Sequence, residues 1–123
     1  MIDEERIRSE AEGFVMLGLY EEAMELVEGL PMEVRSTPSV LRIRLACVMA
    51  AKRFDLAQEI ARLLAAGSKT DAQFAARVLH ELAAIHYLSG KANLAKDVIA
   101  TAIAAYPEER QSFLDDPHLK HLF

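Results

Sequence analysis

One cysteine, no tryptophan, four prolines and five glycines among 123 residues close off several structural strategies. A lone Cys47 cannot form an intramolecular disulfide, so packing must hold the chain together and an oxidising compartment offers it no advantage. Period-two runs of Val, Ile and Thr are missing, which removes the pattern of half-buried strands and predicts no sheet. No apolar run approaches the ~20 residues needed to cross a bilayer. The opening Met1-Ile2-Asp3-Glu4-Glu5-Arg6 is too charged for a signal peptide, so a cytoplasmic home is expected. Positive charge is also in deficit: a formal net charge of -5 repels nucleic acid and anionic membrane surfaces alike, and leaves proteins as the expected partners.

What is present is apolar residue in quantity, 52% of the chain and rich in Ala and Leu, which favours helices. A chain this long buries about two-thirds of its unfolded surface, and residues 1–123 are expected to form a single domain. Asp3 is placed to cap a helix running to about Leu17, where Gly18 supplies a left-handed turn. A second helix spans about residues 21–28 and closes at Gly29 and Pro31. Thr37-Pro38 reads as an N-cap with Pro at the first helical position, opening a helix to about Ala51. Asp55 begins its partner, which ends near Gly67. Thr70 with Gln73 forms a candidate capping box for a helix to Tyr87 or Leu88, and Ser89-Gly90 turns the chain into a helix over about 93–106.

The resulting three helix pairs repeat in sequence. Gly18-Leu19-Tyr20-Glu21-Glu22-Ala23 aligns with Lys52-Arg53-Phe54-Asp55-Leu56-Ala57 and with Gly90-Lys91-Ala92-Asn93-Leu94-Ala95, each between two helices. Ala23 to Ala57 is 34 residues and Ala57 to Ala95 is 38, with the surplus assigned to the loop from Ala66 to Thr70. Over residues 3 to 107 the chain resembles the tetratricopeptide repeat family, whose helix-turn-helix unit has this period. The small-residue positions match best. Glu10 and Arg44 stand where the family usually has Leu, Lys52 replaces a turn glycine and His86 takes a tyrosine position, so the likeness rests on three in-phase copies. It implies an all-α, right-handed solenoid with repeats over about 3–31, 38–67 and 71–107. A C-terminal cap over 107–123, carrying Phe113 and Leu114 and an Asp116-Pro117-x-Leu119 ending, would cover the last helix and keep the solenoid soluble.

Helical phase then places a candidate surface. With Ile7, Ala11 and Phe14, Leu41, Leu45 and Val48, and Leu79, Ala83 and His86 turned inward, the opposite face carries Arg8, Glu12, Val15 and Met16; Arg42 and Met49; and Arg77, His80 and Tyr87. The resemblance implies that this is a concave groove for extended peptides or helices, and its arginines beside apolar side chains suit an acidic or amphipathic segment. The competing reading pairs those arginines with Glu5, Glu12 or Glu81 on a solvated face, where such pairs contribute only ~0.2–1 kcal/mol. The carboxylate clamp known in some family members is not matched: Arg8 and Arg77 fall on basic positions, but Glu12, Ile43 and Glu81 occupy the others.

Catalytic patterns are weak. His118 and His121 share the last turn with no further ligand close in sequence, His80 and His86 point away from each other on one helix, and Cys47 has no local base, so no metal, cofactor or nucleophile is expected. Two functional classes remain. The first is a protein-interaction module, an adaptor or small chaperone holding a partner's segment in the groove. The second is a self-assembling structural protein, a homodimer built through Leu119, Leu122, Phe123 or the exposed end of the first repeat, without a groove ligand.

Overall fold

The computed structural model describes residues 3–123. Among these, the all-α expectation holds, with helices and no strand. The helices are α1 (Glu4–Met16), α2 (Tyr20–Glu28), α3 (Met32–Arg35), α4 (Pro38–Ala50), α5 (Phe54–Ala65), α6 (Lys69–Leu88), α7 (Ala92–Ala105) and α8 (Glu109–Leu114), followed by a 3₁₀ turn at Lys120–Leu122. None of them is long and apolar enough to cross a membrane.

The repeated hexapeptide produces the same backbone three times. Gly18, Lys52 and Gly90 all take positive φ, at 75°, 59° and 79°. Past each one, the amide of the next residue reaches back to a carbonyl five residues earlier: Leu19 to Phe14 at 2.8 Å, Arg53 to Val48 at 2.9 Å and Lys91 to His86 at 2.8 Å. The left-handed residue itself donates three residues back, to Val15, Met49 and Tyr87, each at 3.0 Å. This pair of bonds satisfies carbonyls that a helix end otherwise leaves without partners. Five residues beyond each left-handed position stands an alanine, Ala23, Ala57 or Ala95, and all three are fully buried. A larger side chain there would press into close-packed neighbours.

Contacts along the chain gather into two compact units, one ending at Ile60 and the other running from Ala61 to Phe123. In the first, α1 packs on α2, and both pack on α4. Ala11, Ala23, Val27, Leu30, Val40, Ile43 and Cys47 form its core, with Ile7, Phe14, Val15 and Met24 partly buried against them. In the second, α6 and α7 pair along their length and α8 lies against both. Leu79, Leu82, Val98, Phe113 and Leu119 are fully buried there.

Three local features differ from the sequence reading. Pro31 starts a four-residue helix, α3, too short to show a hydrophobic period. Thr37 does precede α4, but its hydroxyl donates to the Val34 carbonyl at 2.6 Å instead of capping the helix. The sixth helix begins before Thr70: Ser68 Oγ accepts from the Asp71 amide at 3.2 Å and donates to the Asp71 carboxylate at 2.9 Å, so Ser68 with Asp71 is the capping pair. The surplus in the third repeat is therefore taken up by helix rather than loop, since α6 has 20 residues against 13 in α1 and α4.

A Cβ at Gly18 or Gly90 meets nothing within 4 Å, so only backbone strain opposes a side chain there. Gly90→Ala is expected to cost about 1 kcal/mol, and Lys52→Gly to gain up to about 1 kcal/mol by relieving the same strain at the exposed middle turn. Denaturant midpoints of the two variants against the parent chain measure both.

Candidate binding site

The nine side chains expected on the recognition face are split between the two units. In the first, α1 carries Arg8, Glu12, Val15 and Met16, and α4, packed against it, carries Arg42 and Met49. The Arg8 guanidinium lies between two carboxylates of its own helix, 3.4 Å from Glu12 and 3.9 Å from Glu5. Val15 is half-buried against the core, whereas Met16, one residue on, is 87% exposed. Arg42 and Met49 are half-buried.

Arg77, His80 and Tyr87 stand on α6 in the second unit, where only Arg77 remains open to water. His80 is clamped: Nδ1 is 3.1 Å from Glu109 Oε2 and Nε2 is 2.7 Å from Asp116 Oδ2. Its ring stacks on Phe113 at 4.2 Å between centroids. Tyr87 meets His121 edge-on at 4.9 Å, and Arg110 sits 5.3 Å over the ring of Phe123. The segment that follows α7 thus covers the part of α6 that bears His80 and Tyr87. Leu119, expected on a dimer surface, is itself part of this segment and is fully buried, while Phe123 keeps 46% exposure. Hydrophobic burial explains the difference, since the last turns seal the core of their own unit.

A carboxylate oxygen faces each of the two ring nitrogens, so both are engaged within the protein. Neither ring nitrogen is left open to a ligand. Burial pushes the Asp116 carboxyl up, but the hydrogen bonds from His80 and from the His118 amide, with the charges of both histidines, outweigh it and hold Asp116 below its ordinary value. The Glu109 side chain is only 8% exposed, which makes His80 a necessary neighbour for it.

A cleft of about 500 Å³ opens in the first unit, a feature the sequence reading missed. Gly18, Leu19 and Tyr20 at the α1–α2 turn, with Glu21, Glu22, Met24 and Glu28 of α2, form one wall. The other is the end of α4 and the turn after it, including Cys47, Val48, Ala50, Ala51 and Arg53. The Cys47 thiol donates to the Tyr20 carbonyl at 3.4 Å, and burial pushes its pKa up. Among the described residues, no group of three His, Cys, Asp or Glu side chains is arranged to hold a metal ion. Comparison with known proteins gives no match, whether to a family model, a curated protein or a solved structure.

Two outcomes follow for these groups. His80→Ala leaves a buried Glu109 without the ring and a half-buried Asp116 with the His118 amide alone, and is expected to destabilise the second unit by about 2–4 kcal/mol. On acidification the unfolded chain takes up the Asp116 proton before the folded one does. The contribution of Asp116 is therefore complete above the ordinary carboxylate range and is lost as pH falls through its lowered value. Asp116→Asn should flatten that acid limb, read from the Tyr87 and His121 ring resonances between neutral pH and strong acid. Separately, Cys47 should react with a disulfide reagent at least about tenfold more slowly than a free thiol at the same pH, because both its burial and its raised pKa suppress the thiolate.

Proposed function

We propose that the chain is a protein-interaction module, an adaptor or small chaperone of the cytoplasm, and not an enzyme. In this reading its helix pairs are tetratricopeptide-like repeats wound as a right-handed solenoid, capped by the segment after α7. The three matching left-handed turns, each followed by a buried alanine, support the repeat character. The module holds an amphipathic segment of a partner polypeptide on the face carried by α1 and α4. His80 and Tyr87 serve the cap, which concentrates recognition on Arg42, Met49 and Met16.

The observation that carries this reading is the apolar end of α1, where Met16 is 87% and Leu17 73% exposed side by side. Covering two such side chains contributes roughly 3–6 kcal/mol before the ordering of a flexible segment is subtracted, so a short partner segment binds at micromolar strength or weaker.

The test is capture of partners from native lysate by the full chain and by a Met16→Asp/Arg42→Glu variant, with circular dichroism to show that helicity is retained. Loss of the captured partner in the variant is the expected result. Unchanged capture would move the site elsewhere, and recovery of the chain alone, with light scattering reporting a fixed oligomer, would favour the self-assembling alternative.

A further inference from the structure

The cleft of the first unit has a chemistry of its own. In α2, Glu21, Met24 and Glu28 are spaced at i, i+3 and i+7, which sets them in one stripe along the helix, and all three line the cleft. Tyr20 and Leu19 continue the apolar part at the N-terminal end, 37% and 42% exposed. Ala50 and Ala51 are among the small side chains of the other wall, and the volume suits two or three side chains of a ligand. Lining carboxylates outnumber lining cations, with Glu21, Glu22 and Glu28 against Arg53.

Stability of the helix explains only part of this charge. Glu21 and Glu22 occupy the first turn of α2, where carboxylates complement the helix dipole. Glu28 is the last residue of α2, whose final turn holds no basic residue, and a carboxylate is disfavoured at that end. It stands there at the helix's expense, beside an apolar cleft and about 10 Å along the axis from Glu21.

We propose that this cleft is a docking site for a basic, aliphatic-rich helical segment of a partner protein, whose Lys or Arg heads meet Glu21 and Glu28 while their stems and a neighbouring Leu or Ile pack on Tyr20, Met24 and Val48. Long cationic side chains suit such a surface because the methylene stem is buried while the head stays at the charged rim. An acidic segment is repelled. The proposal rests on the chain being an interaction module, but on a different surface from the α1–α4 face.

The probe is a short, fluorescently labelled helical peptide of leucine and lysine, compared with its leucine and glutamate counterpart, titrated into the full chain at low and high salt. The lysine peptide should bind, more weakly as salt rises, and the glutamate peptide should not. Glu21→Lys/Glu28→Lys, both at exposed positions, should weaken binding about tenfold with helicity unchanged. Since Cys47 lines the cleft and is the chain's one thiol, bound peptide should also slow its labelling. Equal binding of both peptides, full affinity in the charge-reversed variant, or unprotected Cys47 would each overturn the proposal. Met16→Asp/Arg42→Glu separates the two readings. If that variant loses the lysine peptide while Glu21→Lys/Glu28→Lys keeps it, the cleft is refuted and the α1–α4 face stands.

Discussion

A hydrogen bond that steps back five residues across one left-handed residue is the constraint from which the rest of this molecule follows. It stops a helix and turns the chain into the next one, and it does so at Gly18, Lys52 and Gly90 with nearly equal bond lengths. In the α1–α2 and α6–α7 pairs, whose helices pack on each other, a small side chain follows the turn: Ala23 and Ala95 are fully buried, as is Ala57 after the middle turn. The turn and the alanine recur together, five residues apart, all three times.

Local chemistry was legible in the sequence to the extent that it lies within a few residues. The Gly18 and Gly90 turns, the Asp3 cap, which accepts from the Arg6 amide at 3.0 Å, and the burial of Phe113 could all be read in advance. Ser68 was passed over because Thr70 offered an equally good polar side chain two residues later, and only the helix's own start decides between them. The α3 helix has too few residues to carry a period. Lys52 adopts the turn without being glycine, so phase with its two counterparts, rather than residue type, marks it.

The recognition surface was less legible, for a different reason. Helical phase tells which side chains share a face but not what the distant chain lays over them. His80 meets Glu109 at a separation of 29 residues and Asp116 at 36, so an outward-facing position on α6 becomes the centre of a clamp between two acidic side chains. Arg8 shows the opposite case, since its partners Glu5 and Glu12 were visible on the same helix and do engage it. The cleft in the first unit has little signature in the sequence, because small lining residues such as Ala50 and Ala51 give no signal in a pattern search.

The span between His80 and its acidic partners also orders events in time. Pairing α6 with α7 closes a loop across a tight turn and is a local, fast step. The clamp closes a longer loop, so loop-closure entropy favours its forming after the α6–α7 pairing, with Phe113 stacked on the His80 ring. The C-terminal segment therefore acts as a seal on a finished hairpin, and a second unit whose seal has not yet closed is one with the Leu79, Leu82 and Val98 core still open to chaperones and proteases.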